Sequence, residues 1–147
     1  MIGLTNLSTT SFSKRFFKRI AEFVLEKENK QEMDLSIVLV AQKKMMELNK
    51  EYRKEDKATN VLSFCYEQGK PFVFPIKHLL KLGEIVICPE YIKEDAKQRS
   101  VDFKEELVRV SIHGILHILG YNHKIARSFK KMNDLQEQYL YLYFNQK

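Results

Sequence analysis

The sequence predicts an α+β fold, a single domain of helices packed on a small mixed β-sheet, with a metal site at the end of a central helix. Three observations carry this. The β-branched, apolar run Ile37-Val38-Leu39-Val40 and the segment Gly83-Glu84-Ile85-Val86-Ile87-Cys88 read as buried strands. The helical stretches between the strands do not follow a regular βαβ alternation, which argues against a purely parallel sheet. At 147 residues, with no internal repeat and no linker-like segment, the chain is one unit large enough to bury a core.

Residues 2–6 form a short first strand, and the polar stretch Ser8 to Ser13 connects it onward. Ser13 is the N-cap of a helix to about Glu28, with Phe16, Ile20 and Phe23 on its inner face. Lys14, Arg15, Lys18 and Arg19 crowd the first half of that helix, as a solvated face or as a contact for RNA. Met33 to Val40 is the next strand. From Gln42 to Tyr52 the apolar residues Met45, Leu48 and Tyr52 recur at helical spacing. A polar loop follows and leads into the strand Val61 to Tyr66. Arg53, where helix gives way to loop, carries a planar fork that matches phosphate oxygens.

Gln68-Gly69-Lys70-Pro71 is a turn. The segment Phe72 to Leu82, interrupted by Pro75, is irregular; His78 within it is a substrate-facing position rather than a metal ligand. Pro89 opens a helix to about Arg99. Asp102 caps the next helix, which runs to about Leu119 with Phe103, Leu107 and Val110 inward. A last helix, from about Lys124 to Tyr143, turns Ile125, Phe129, Met132, Tyr139 and Leu142 inward.

Composition narrows the function classes. No apolar run approaches the ~20 residues of a membrane span, and the N-terminus lacks the pattern of a signal peptide. The two cysteines, Cys65 and Cys88, form no C-x-x-C pair and read as small core residues, so the expected compartment is the cytoplasm. A net charge of +6 favours a polyanionic partner.

The segment that organises the chain is His113-Gly114-Ile115-Leu116-His117-Ile118-Leu119-Gly120-Tyr121-Asn122-His123, an H-x-x-x-H-x-x-G-x-x-H pattern. His113 and His117 fall one helical turn apart on one face. His123 would lie ~9 Å further along a continuing helix, but Gly120 can adopt the left-handed conformation that ends the helix and turns the chain back. Three nitrogen ligands with an open fourth position suit a catalytic zinc, because structural sites are usually closed by four protein ligands. The spacing is that of the metzincin-type peptidase pattern H-E-x-x-H-x-x-G-x-x-H, but the position of its general base is Gly114. The expected use of Gly114 is to let another backbone or a substrate come close. A peptidase would need another base, and Glu84 is the candidate.

The chain resembles the YbeY family of endoribonucleases, or rRNA maturation factors, in three blocks. Leu48-Asn49-Lys50-Glu51-Tyr52-Arg53 with Asp56 to Phe64 is similar to L-N-x-x-Y-R…D-K-x-T-D-V-L-S-F-P; Gly83 to Ile87 is similar to G-D-I-x-I; His113 to His123 is similar to H-G-x-L-H-L-x-G-Y-D-H. The resemblance spans essentially the whole chain. It implies one zinc ion per chain held by His113, His117 and His123, and metal-dependent cleavage of single-stranded RNA. It also implies 16S rRNA processing, ribosome quality control and association with the small ribosomal subunit, with neither membrane nor DNA as partner. Arg53 matches the family's functional arginine. Three departures from the pattern matter: Asn60 and Asn122 replace aspartates, and Cys65 replaces proline. An amide at Asn122 cannot accept a proton at neutral pH, which leaves the proton acceptor open and makes Asn122 a position beside the metal or substrate. Two other functions fit the sequence: a non-catalytic ribosome assembly or RNA-binding factor with a fold-stabilising zinc, and a metallopeptidase.

Overall fold

Alternation in the strands fixes which residues face which helices. A computed structural model of the chain describes residues 1–65, 82–121 and 126–146, with backbone alone at 82 and 126–128. The elements are β1 (Ile2–Leu7), α1 (Lys14–Lys27), β2 (Asp34–Val40), α2 (Gln42–Arg53), β3 (Val61–Cys65), β4 (Leu82–Ile87), α3 (Pro89–Gln98), α4 (Phe103–Ile118) and α5 (Ala126–Phe144). They agree with the expected elements to within a residue or two at most ends. The turn expected at 68–71, the irregular segment around His78, and Ile125 lie outside the described residues.

The four strands form one mixed sheet in the order β1-β2-β4-β3. β1 pairs parallel with β2, β2 parallel with β4, and β3 antiparallel with β4. On one face Leu35, Ile37, Leu39, Val61, Cys65, Ile85 and Ile87 pack with α1 and α4. On the other, Val38, Val40, Leu62, Phe64 and Val86 pack with Met45 and Leu48 of α2. Side chains two residues apart share a face.

Helix α4 is the central element. Leu107, Val108, Val110, Ser111, Ile112, Gly114, Ile115, Leu116 and Ile118 are all buried, so the helix is enclosed almost all round. The narrower face expected at Phe103, Leu107 and Val110 covers only part of this. α1, α3 and α5 flank α4, while β3 and β4 lie beneath it.

Two other expectations shift. On α1 the fully buried positions are Phe17, Ile20, Ala21 and Val24, with Phe16 and Phe23 at the margins. Phe16 and Phe17 are adjacent aromatics that both pack on the core, and Phe17, which periodicity did not single out, is the deeper. On α5, Phe129 is 43% exposed, whereas Met132 and Tyr139 are buried as expected. Cys65 and Cys88 are both free and buried. No helix among the described residues is long and apolar enough to cross a membrane.

Candidate metal centre

The histidines occupy the last two turns of α4. The i, i+4 spacing brings the His113 and His117 rings to a centroid separation of 4.9 Å at 72°. Both residues are partly exposed on a helix whose other faces are closed.

The helix then ends as Gly120 requires. Its φ is +106°, a region open to glycine and strained for other residues. Gly120 N–H donates to the His117 carbonyl, and Tyr121 N–H to the Leu116 carbonyl, each at 3.1 Å. That pair of bonds is a Schellman cap, the helix end expected at Gly120. Tyr121 is tied down in turn: its hydroxyl donates to Glu28 Oε1 at 2.9 Å, and the Tyr139 hydroxyl donates to the other oxygen of the same carboxylate. The turn is thereby anchored to the end of α1 and to α5. His123, Asn122 and His78 lie outside the described residues, and among the described residues no three His, Cys, Asp or Glu side chains converge to hold a metal.

Gly114 has a packing reason. A β-carbon there would stand 3.0 Å from Ile85 Cγ2, 3.1 Å from Val61 Cγ2 and 3.3 Å from Ser63 Oγ. The Ser63 hydroxyl also donates to the Gly114 carbonyl at 3.0 Å. The glycine therefore lets α4 settle onto β3 and β4, so the close approach is made by the sheet and not by a substrate. Gly83 acts the same way one turn on, since a β-carbon there would fall 2.4 Å from Ile118 Cγ2. The peptidase base position thus points into the sheet. Glu84 does not replace it: it lies between Gly83 and Ile85, on the strand face shared with Val86 and α2, away from α4.

Sequence reasoning missed Gln136. It is 8% exposed, and its Oε1 lies 2.7 Å from His113 Nδ1. Its Nε2 donates to Glu137 Oε2 at 3.1 Å. Glu137 is itself paired with Arg109, whose Nε donates to the same oxygen at 3.0 Å. Burial works against charge on Glu137, but the bonds from Arg109 and Gln136 outweigh it and hold its carboxyl below the usual range. A signal was available: Met132, Gln136 and Tyr139 share one stripe at helical spacing, and a polar residue in such a stripe calls for a partner.

These features fit a metal. Gln136 Oε1 accepts from His113 Nδ1–H, the bond that leaves a neutral imidazole with Nε2 as its donor atom. With the His117 ring one helical turn away, the pair has the spacing at which two imidazoles can share one zinc ion.

Arg53 is the exposed last residue of α2, on the sheet face opposite α4. Tyr52 meets the Phe64 ring at 5.1 Å, and the adjacent Ser63 reaches through the sheet's other face to Gly114. Tyr52, beside Arg53, and Gly114, beside His113, thus meet edge strand β3 from opposite faces of the sheet. The loop after α2 is held by Asn49, buried, whose Nδ2 donates to the Lys57 carbonyl at 2.9 Å.

Comparison with known proteins follows the same outline. The family model described as Endoribonuclease YbeY matches residues 4–143. An Endoribonuclease YbeY from Staphylococcus saprophyticus is 36% identical over 126 residues, covering 85% of this chain and 82% of that protein. One from Persephonella marina is 37% identical over 134 residues, covering 90% and 84%. The solution structure of a Thermotoga maritima protein superposes with a TM-score of 0.65 at 28% identity, covering 98% of this chain and 89% of the other.

Proposed function

The chain belongs to the YbeY endoribonuclease family, and from that premise we propose that it is a zinc-dependent endoribonuclease specific for single-stranded RNA. It would act in the cytoplasm on ribosomal RNA, in 16S rRNA maturation and ribosome quality control at the small subunit. The observation that carries the reading is the His113–His117 pair at the end of a buried helix, closed by the Gly120 cap and with His113 Nδ1 engaged by Gln136.

His113, His117 and His123 would hold one zinc ion. Three neutral ligands leave the ion its full charge, so when bound it supplies Lewis-acid polarisation of a phosphoryl oxygen. The remaining work belongs to the chain. Arg53 grips the phosphate as a fork and stabilises charge that builds on its oxygens. Gln136 holds His113 in orientation, and the cap at Gly120 sets the direction in which the chain reaches His123. Asn122 and His78 are candidates for contact with the RNA or the metal's ligands, and an amide at Asn122 could donate or accept a hydrogen bond but take no proton. The net charge of +6 draws the polyanion to the site. Gly114 supports a nuclease over a peptidase, because the peptidase base has no room there.

The test is cleavage of an end-labelled single-stranded RNA by zinc-loaded protein, beside His117→Ala purified identically. Cutting lost with His117 supports the reading; equal cutting by both is contamination and counts against it. Binding without cutting by folded, zinc-loaded protein would make the chain an assembly factor instead. Arg53→Glu should abolish cutting while zinc stays bound.

A further inference from the structure

We infer that the Arg109–Glu137 ion pair is an orientation lock that sets the tautomer of His113 through the Gln136 amide, making Gln136 and Glu137 positioning residues for the metal site. The inference rests on the proposed role of His113 as a ligand.

A glutamine is an ambiguous neighbour for an imidazole. With Oε1 toward Nδ1 it accepts, the proton stays on Nδ1, and Nε2 keeps its lone pair for a metal. Rotated by half a turn, the amide would donate to Nδ1. The imidazole proton would then sit on Nε2, the atom the metal needs. Nothing within the glutamine itself prefers one orientation, and the second partner of the amide decides.

That partner is Glu137, whose Oε2 accepts from Gln136 Nε2 at 3.1 Å. A carboxylate accepts only, so the amide nitrogen must face Glu137 and the amide oxygen must face His113, 2.7 Å away. Glu137 is in turn held by Arg109, through Nε to Oε2 at 3.0 Å and Nη2 to Oε1 at 3.2 Å. Arg109 is fixed by further bonds to Glu106 at 2.8 Å and Glu105 at 3.3 Å. The chain of contacts runs from the first turns of α4, across to α5, and back to α4 at His113. It uses polarity to choose between two orientations that have the same shape.

The experiment reads the tautomer in metal-free, ¹⁵N-labelled protein by long-range imidazole ¹H–¹⁵N correlation, and zinc affinity by competition with a chromophoric chelator. Glu137→Ala is the main variant: the Glu137 side chain is 52% exposed, and Arg109 keeps Glu105 and Glu106 as partners, so the fold survives. His113 should carry its proton on Nδ1 in the parent protein, and Glu137→Ala should show a mixture of the Nδ1–H and Nε2–H tautomers. Gln136→Leu should remove the acceptor, and zinc affinity should fall about 10- to 100-fold. The double variant Gln136→Glu/Glu137→Gln should restore both readouts, because a carboxylate accepts in either orientation. A parent protein protonated on Nε2, or a Glu137→Ala protein with parental tautomer and affinity, overturns the lock. A parent that shows the Nδ1 proton but binds no zinc would sink the metal reading and leave the lock standing.

Discussion

At its amino end α4 is held by groups that are present; at its carboxyl end it is held by atoms that are missing. Asp102 accepts from the Glu105 N–H at 2.9 Å, Glu106 is bound by Arg99 and Arg109, and Arg109 reaches across to α5. Losing any one leaves others in place. The last two turns instead depend on Gly114 and Gly83, whose absent side chains let the helix meet the sheet, and on Gly120, whose φ other residues avoid. Redundant contacts place the start of a helix, whereas single solutions place the site. The amino end should therefore tolerate change in small steps, and the carboxyl end should fail abruptly.

The largest expected effect comes from writing the peptidase pattern back into the chain. Gly114→Glu would drive a β-carbon against Ile85 and Val61. Overpacking alone costs about 1–3 kcal/mol, and a carboxylate pushed toward an apolar surface adds a desolvation cost. The denaturation midpoint should drop sharply with no gain of peptidase activity. A stable variant would mean that α4 can roll on the sheet and that the glycine is not needed for packing.

Gly120→Ala should cost about 1–3 kcal/mol, the range for residues held in sparsely populated backbone regions. It should also weaken zinc binding more than its stability loss explains, because it disturbs the turn toward His123. Chelator competition at a temperature where the variant is fully folded separates the two. Equal zinc affinity would detach the cap from the site.

How much of this was legible follows the same division. The i, i+4 histidines, the left-handed Gly120 and the Asp102 cap are local signals, and each is where the residues said it would be. Ser13 has the extended backbone of a cap but makes no side-chain cap bond. The strand order was not legible, because β4 enters between β2 and β3 by pairings remote in sequence. Gln136 was legible only as a polar residue in an apolar stripe; that its partner is His113, 23 residues away, was not. Gly114 was legible as a point of close approach but not as to what approaches: periodicity shows that a side chain is missing, and only tertiary packing shows that Val61 and Ile85 of the sheet take its place.

The clamp beneath the Gly120 turn gives a pH signature. Burial raises the Tyr139 phenol above its ordinary value, and its bond to the Glu28 carboxylate raises it further. A raised pKa favours the protonated form in the fold. The associated stability is fully present below the ordinary tyrosine value of ~10 and is lost as pH rises through the folded value. Thermal melts should therefore fall in strongly alkaline solution, and Glu28→Gln should make that fall shallower. An unchanged slope would leave burial as the whole cause.

Asp102→Ala tests the tolerant end. Losing an N-cap acceptor typically costs ~1 kcal/mol, and zinc affinity should not change, because the cap lies three helical turns from His113 at ~3.6 residues per turn. A coupled loss of zinc would show that the Asp102 cap, as well as Arg109, bears on the metal end of α4.

The smallest effect should come from Arg99→Ala, and its value lies in the contrast with Arg109. Both arginines bind Glu106, Arg99 at 3.1 Å and Arg109 at 2.8 Å, but only Arg109 also bonds Glu137. The Arg99 side chain is about half exposed and its other partner, Asp95, lies on its own helix. An exposed pair of this kind is worth about 0–1 kcal/mol, and Glu106 keeps Arg109 after the substitution. Stability should shift within that range and zinc affinity should hold. Arg109→Ala leaves Glu106 with Arg99, so the buried carboxylate is again paired, yet Glu137 loses its anchor and zinc affinity should fall. Two variants that remove the same charge and leave Glu106 one partner would then differ in whether Glu137 keeps its anchor, and so at the metal. A loss of affinity in both would mean that the net charge around Glu106, rather than the orientation of Gln136, governs His113.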